Sequence, residues 1–179
     1  SAGGGGAFIS YWPALVDSRH IVETVHMGDQ TLEVLPTSQL GLDAMYYQQV
    51  PVKIPDYPHG DLVRIPFGRL FGTRSGDKGG NANIGVWAKT PEAYGFLYEF
   101  LTVENFKILL ADTADFDIDR YELPNLHALN FYIHGILGEG VSSSVRIDSQ
   151  AKTMGEYLRA KIIEVPAALV AQLNSQSTD

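Results

Sequence analysis

The sequence predicts an α+β fold: an antiparallel or mixed sheet with helices packed on one face, preceded by an extended N-terminal arm. Two observations support this prediction. Segments that alternate apolar and polar residues, as half-buried strands do, flank stretches whose apolar residues recur three and four apart, as in helices. The predicted order β-β-α-β-β-(β)-α places strands in runs, which is typical of the α+β class.

The pattern of the first 60 residues predicts an extended arm rather than a folded domain. Prolines interrupt any long helix there, and two short apolar pieces, at residues 31–35 and 50–54, predict isolated or edge strands. Four aromatic side chains would be exposed on an unanchored arm, so we expect it to pack on its own domain or on a neighbouring subunit: Tyr11, Trp12, Tyr46 and Tyr47. We therefore divide the chain into an arm (1–60), a domain (61–166) and a polar tail (167–179).

The domain opens with two predicted strands, at residues 63–67 and 84–88, which we expect to form a hairpin. A helix should follow, with Thr90 as its N-cap and Pro91 at its first position. Thr102 can cap a second, shorter helix that ends before Asp112.

Three further strands and a helix complete the predicted domain. Residues 115–119 alternate strictly between Asp and apolar residues, which predicts a strand with a solvated acidic face. Strands are also predicted at 129–133 and 145–147. A last helix should run from Met154 to Pro166, and the tail beyond it should be disordered or loosely packed.

A glycine-rich run at residues 74–83 combines both charge signs and two amides between predicted strands. Its glycines permit left-handed backbone and close approach of another group, and its cations can hold an anion. The run predicts a ligand site made of Arg74, Ser75, Gly76, Asp77, Lys78, Gly79, Gly80, Asn81 and Asn83. The alternative is a long hairpin loop with an internal ion pair between Asp77 and a neighbouring cation.

Nucleotide-binding templates do not fit this run. Lys78 follows Asp77 and precedes Gly79, whereas a Walker loop needs Gly-Lys followed by Ser or Thr. The glycine spacing also fails the dinucleotide fingerprint, and the run leads into a strand rather than a helix. We predict no nucleotide cofactor, and instead a backbone nest with basic neighbours that suits a carboxylate, a phosphate or a partner's acidic side chain.

A second polar run covers residues 121–135. Leu129, Phe131 and Ile133 alternate with polar residues, so Asn130 and His134 should share one face of a strand. Earlier in the run, His127 lies either on the opposite face or in the turn after Pro124. The candidates for proton transfer are His127, His134 and Glu122, and those for ligand contacts are Asn125 and Asn130.

The second polar run also bears on metal binding and on where the two runs lie in the fold. Its histidines are seven residues apart and the chain has no cysteine, so no metal site is predicted. Both polar runs flank strand ends, so we expect them to be neighbours, with Lys78 and Asn125 at the same end of the sheet. The structural alternative is that each histidine is an ordinary solvated or hydrogen-bonded residue.

These motifs resemble the C-terminal domain of AtuA-type acyclic terpene utilization proteins over about residues 63–166. The resemblance is carried by RSGDKGGNANIGV at 74–86, ELPNLHALNF at 122–131, GEG at 138–140 and DSQAK at 148–152. It implies a small ferredoxin-like α+β domain that either follows a larger N-terminal domain or stands alone. It also implies a setting in bacterial breakdown of citronellol- and geraniol-type terpenoids through acyl-CoA intermediates, and it supplies no agreed catalytic residue.

The resemblance extends to the beginning of the chain. Residues 8–17 resemble the last part of the larger domain of such proteins, and Ser1 precedes a glycine run without a hydrophobic span. We therefore expect the chain to be a fragment of a longer protein.

Composition narrows the partners. The chain is 45% hydrophobic and can build one ordinary core, and its lack of cysteine excludes disulfides and is compatible with the cytoplasm. A net charge of −8 argues against nucleic acid, and no apolar run approaches the roughly 20 residues that cross a bilayer. We expect a cytoplasmic protein with no nucleic-acid or membrane partner.

Two functions remain open from sequence. In the first, the glycine-rich run holds a carboxylate or a phosphate of a CoA thioester, and the histidines or Glu122 transfer protons. In the second, the domain is an assembly module whose polar runs bind a neighbouring subunit or the larger N-terminal domain, and a homo-oligomer is expected. Whether Lys78, Asn81 and His127 converge on one pocket distinguishes the two.

Overall fold

The computed structural model describes residues 14–34, 52–142, 144 and 146–176, which belong to two compact units divided near residue 51. The first unit holds a short 3-10 turn, Ser18–His20, and an antiparallel hairpin of β1 (Glu23–Met27) and β2 (Gln30–Val34). The prediction of a strand at 31–35 is thus confirmed over its described residues. The predictions for Tyr11, Trp12, Tyr46 and Tyr47, and for the start of the chain, lie outside the described residues.

The second unit is built on a four-stranded antiparallel sheet with the order β4-β5-β7-β6. Its strands are β4 (Phe71–Lys78), β5 (Asn81–Ala88), β6 (Ile118–Leu123) and β7 (Ala128–Ile133). Among the described residues, strand β4 pairs with β5 alone. The predicted α+β class with antiparallel strands is confirmed.

One face of this sheet carries the core. Alternate residues of β5 and β7 are fully buried there, among them Ile84, Val86, Leu129 and Phe131. Helices α1 (Pro91–Phe100) and α2 (Val103–Leu109) supply apolar side chains to the same core, and the Phe106 ring stacks 4.2 Å from that of Phe131. The helices therefore lie on one face, and we call the opposite face of the sheet the outer face.

Both helix starts agree with the sequence prediction. The Thr90 hydroxyl accepts a hydrogen bond from the Ala93 amide at 3.1 Å, and Thr102 does the same for Asn105 at 3.2 Å. These caps satisfy amide groups that the first helical turn leaves without partners.

The rest of the unit differs from the predicted pattern in several places. Strand β3 (Leu62–Pro66) pairs with β8 (Ile162–Pro166) instead of forming a hairpin with residues 84–88. The predicted last helix stops early, since α3 covers only Met154–Arg159 and the chain then extends into β8. Helix α4 (Ala167–Gln176) stands where the sequence predicted a loose tail, and its Leu169 is buried.

The apolar residues after α3 follow the period of a strand, although the sequence predicted that the helix continues to Pro166. Ile163 and Val165 are buried while their neighbours Ile162 and Glu164 are exposed, which is the two-residue period of a strand. Apolar residues at this spacing also fit the edge of a helical stripe, so the pattern alone did not distinguish the two. The predicted strand at 145–147 is not found: Arg146 and Ile147, its described residues, belong to no strand.

The glycine-rich run is not a loop. Strands β4 and β5 continue through it, with Lys78 opposite Asn81, so only Gly79 and Gly80 form the turn. Gly79 takes a positive φ of 64°, as tight hairpin turns often require. A Cβ on Gly80 would overlap the Gly138 carbonyl oxygen, and the Gly80 carbonyl accepts a 2.9 Å bond from the Leu137 amide. The turn therefore packs against residues 137–138 through its second glycine.

Arg120 ties β6 to the end of α1. Its guanidinium donates to the carbonyls of Leu101 at 3.1 Å and Tyr98 at 2.8 Å, and lies 4.8 Å from the Tyr98 ring centre. A cation at this position satisfies carbonyls that the helix end leaves free and opposes the helix dipole. Its remaining bond is to Glu122, at 2.6 Å.

Replacing Arg120 by Met should lower the free energy of unfolding by about 1–3 kcal/mol, because two carbonyls lose a charged donor while the aliphatic stem is kept. Urea denaturation measures the change. Glu122→Gln is the matched control, and it should cost less than about 1 kcal/mol because Glu122 is partly exposed. An equal loss in both variants would contradict the role assigned to the helix end.

Candidate functional site

The two polar runs do not form one site. Strand β5 runs from Asn81, opposite Lys78, to Ala88, whose amide bonds the His127 carbonyl at 2.9 Å. Asn125 belongs to the short 3-10 turn Pro124–Leu126 that precedes His127. Lys78 and Asn125 therefore lie at opposite ends of the sheet, and the prediction of a single site is wrong.

The amides of the predicted site form a ladder on the outer face. The Asn81 amide donates to the Tyr132 hydroxyl at 2.8 Å, and its oxygen accepts from the Gly135 amide at 2.7 Å. One step along the sheet, Asn83 donates to the Asn130 side chain at 3.0 Å. These bonds join β5 to β7 and to the turn after it, so the amides already have partners within the fold.

His134 pairs with an acidic residue of the neighbouring strand. Its Nε2 lies 2.8 Å from the Asp119 carboxylate, and both side chains are about half exposed, at 46% and 51%. The hydrogen bond from His134, assisted by one from Tyr121, lowers the pKa of Asp119 below its usual 3.8. His134 thus lies on the outer face near Asn81, as its strand parity predicted.

The Asp119 carboxyl should titrate with a midpoint below 3.8, since its hydrogen bonds favour the ionised form. A carboxyl group whose pKa is lower in the folded state stabilises the fold at pH values above its unfolded-state pKa. This stabilisation is lost as the pH falls through the folded-state pKa. Carboxyl NMR titration measures the midpoint. His134→Ala should move it upward, and a midpoint at or above 3.8 in the unchanged protein would contradict the pairing.

The other two candidates for proton transfer lie elsewhere. His127 sits in the turn after Pro124, with a left-handed φ of 48° and its ring centre 5.6 Å from that of buried Tyr94. Glu122 is engaged by Arg120 on the helix side of the sheet. His134 therefore lies at the opposite end of the sheet from His127 and Glu122, which are both near Tyr94.

A cleft of about 440 Å³ lies instead beside the unpaired edge of β4. It is formed where α3 and the segment before it pack along that edge. Its lining consists of Thr73, Arg74, Ser75, Trp87, Lys152, Gly155 and Glu156. Two of these, Arg74 and Ser75, belong to the predicted site.

Two hydroxyls fix α3 to β4. The Thr73 hydroxyl donates to the Gly155 carbonyl at 2.8 Å, and the Ser75 hydroxyl donates to the Lys152 carbonyl at 3.2 Å. Ser75 also accepts from the Gly155 amide at 2.9 Å. A Cβ at Gly155 would lie 3.0 Å from the Thr73 oxygen, so glycine lets the two elements approach this closely. Ser75 is thereby a buried anchor with its hydrogen bonds in use.

Two cations line the cleft. The Arg74 guanidinium and the Lys152 ammonium have neither a hydrogen bond nor an ion pair with any described residue. Lys152 reaches around the edge of β4, since a Cβ built on Gly76 would lie 3.6 Å from its Nζ atom. The Lys152 backbone is fixed by Asp148, whose carboxylate accepts from its amide at 2.8 Å and from Thr153.

An aromatic wall and one carboxylate complete the cleft. Trp87 is opposite Gly72 in the register, and its indole covers that glycine, because a Cβ there would overlap the ring. The indole is 43% exposed. Glu156 contributes a carboxylate that is paired with Arg159 at 3.2 Å. The cleft therefore combines two cations, one neutralised anion and a flat apolar surface.

Sequence reasoning missed most of this lining. Lys152 belongs to the DSQAK motif at 148–152, so the resemblance held a signal for it. Thr73, Trp87, Gly155 and Glu156 follow ordinary strand or helix patterns, and only the docking of α3 on β4 brings them together. Lys78, Gly79 and Gly80 lie at the hairpin turn and are not among the lining residues.

The second unit is thus a small α+β domain with helices on one face of an antiparallel sheet and an anion-compatible cleft at its edge. A family model for the AtuA ferredoxin-like domain matches residues 65–164. This match covers more than half of the chain, and the chain belongs to this family. No curated protein and no solved structure matched the chain.

Metal-binding clusters and membrane-spanning helices are both absent from the described residues. No cluster of three or more histidine or acidic side chains among them could hold a metal ion. None of the helices that the structure describes is long and apolar enough to span a bilayer.

Replacing Gly72 by Ala should displace the Trp87 indole and destabilise the hairpin by roughly 1–3 kcal/mol, because the new methyl group overlaps the ring. Tryptophan fluorescence reports the displacement if Trp12, the only other tryptophan, is first replaced by Phe. Gly85→Ala is the matched control on β5, where the nearest atom would lie at 3.7 Å. An unchanged spectrum in Gly72→Ala would contradict the assigned packing.

Proposed function

We propose that this domain binds a small anionic ligand in the cleft beside β4. The observation that supports the proposal is the pair of cations, Arg74 and Lys152, that line one cleft without a carboxylate partner among the described residues. A bound anion could accept a charge-assisted hydrogen bond from each of these two side chains.

The ligand we propose is a carboxylate or a phosphate attached to an apolar group. Arg74 can donate two parallel hydrogen bonds to either anion, and the exposed face of Trp87 can cover an apolar chain. Within the AtuA family this composition fits branched carboxylic acids or CoA thioesters from acyclic terpenoid breakdown. We propose this role, and a cytoplasmic location, for the protein to which the chain belongs.

We propose binding rather than catalysis for this domain. A proton-transfer group must lie within hydrogen-bonding reach of the ligand. His127, His134 and Glu122 do not line the cleft, and the Ser75 hydroxyl is occupied by α3. Glu156 is the single carboxylate of the lining, and it is paired with Arg159.

Isothermal titration with a branched short-chain carboxylate, CoA and an acyl-CoA tests the proposal. Arg74→Ala and Lys152→Ala should each weaken binding by roughly ten- to hundredfold, the equivalent of about 1.4–2.8 kcal/mol for a charge-assisted hydrogen bond. Thermal stability should change little because neither cation holds the fold together. Lys107→Ala, which removes the same charge from α2, is the control.

Lys78→Ala distinguishes the cleft from the hairpin turn that the sequence indicated. The proposal expects unchanged affinity in this variant because Lys78 does not line the cleft. Loss of binding in Lys78→Ala with normal binding in Arg74→Ala would contradict the proposal and move the site to the turn. An absence of binding by all three ligand types would also contradict it.

A further inference from the structure

We propose that the outer face of the four-stranded sheet packs on the same face of a second copy of this chain. The helices cover the other face, and the outer face leaves three large side chains exposed: Trp87 at 43%, Tyr121 at 51% and Leu123 at 41%. The inference concerns the whole outer face, whose Arg74 and Trp87 also line the cleft described above.

The strand register arranges the outer face in rows across the sheet. At one end of the sheet, Lys78 pairs with Asn81, and the His134 amide donates to the Asp117 carbonyl at 3.0 Å. This row therefore runs from a cation on β4 to an acidic residue just before β6. At the other end the row comprises Gly72, Trp87, Ala128 and Leu123. The face is therefore charged at one end and apolar at the other.

Charge also changes sign from edge to edge. Arg74 and Lys78 are exposed on β4, and the Lys152 ammonium lies over Gly76 of the same strand. At the opposite edge, Asp117 and Asp119 are exposed on and before β6. In the charged row, the cationic edge of one copy is thus complementary to the acidic edge of another.

Only one two-fold arrangement satisfies both patterns. A two-fold axis parallel to the strands places β4 over β6 of the partner and keeps each row over its equivalent. Lys78 then faces Asp117, and Leu123 faces Gly72 and the Trp87 indole that covers it. An axis across the strands would place the acidic residues over Leu123 and bury charge against apolar side chains. Because a two-fold contact repeats itself, each pair occurs twice.

A second copy fits this face better than an unrelated partner. An unrelated partner would need an acidic group opposite Lys78, a cation opposite Asp117 and an apolar row at the other end. The chain's own outer face supplies all three. At the centre of the face, the Asn83 amide donates to the Asn130 side-chain oxygen, so part of the hydrogen bonding of this pair is met within one copy.

Sedimentation velocity of the full chain from micromolar to submillimolar concentration tests the inference. We expect a reversible monomer–dimer equilibrium that weakens as salt rises. Lys78→Glu and Asp117→Lys should each weaken dimerisation at least tenfold, because each places like charges together twice. The double variant Lys78→Glu/Asp117→Lys should restore it, since both copies then carry the exchanged pair.

Two further variants complete the test. Leu123→Asn should weaken the dimer with an unchanged melting temperature of the dilute monomer, because Leu123 is exposed there. Lys107→Glu, on a helix of the opposite face, should leave the dimer unchanged. A monomer at every concentration, or a dimer insensitive to both single charge reversals, would overturn the inference.

Discussion

The docking of α3 on the edge of β4 is the contact on which the candidate site depends. An unpaired strand edge exposes backbone groups that readily pair with another chain. Here the buried hydroxyls of Thr73 and Ser75 form hydrogen bonds with the backbone at Lys152 and Gly155. Side chains of β4, and not its backbone groups, therefore hold α3 along this edge. The same contact brings the Lys152 backbone to β4 and creates the cleft.

Glycines control how closely other groups approach β4. On the outer face, Gly72 leaves room for the Trp87 indole and Gly76 lies beneath the Lys152 ammonium. A strand with side chains at both positions would keep these two groups away from its backbone. The glycine-rich composition of residues 72–80 therefore serves packing across a strand, because among these glycines only Gly79 has a positive φ.

Local patterns predicted the elements whose stability is local. The helix caps at Thr90 and Thr102, and the parity of residues 129–133, follow from hydrogen bonds and alternation within a few residues. The resemblance predicted the family that the match over residues 65–164 confirmed. These predictions needed no knowledge of distant contacts.

Pairing between distant segments was not predictable in this way. Strand β3 meets β8 about a hundred residues later, and nothing in the local pattern of residues 62–66 identifies that partner. The cleft joins β4 and β5 to α3 in the same manner, so Trp87 and Gly155 gave no signal of a shared site. The glycine-rich run has the composition of a turn, although pairing across the strands holds it extended.

The hairpin turn shows that neighbouring glycines can be required for different reasons. Gly79 has open space where a side chain would lie, but its φ of 64° is in the left-handed region. Glycine is therefore favoured there because L-residues rarely adopt this conformation. A D-amino acid would adopt it. Gly80 has no positive φ but meets the Gly138 carbonyl, so its constraint is one of volume. An L-residue there would have to displace the Gly138 carbonyl, whereas at Gly79 a D-residue keeps the backbone of the turn.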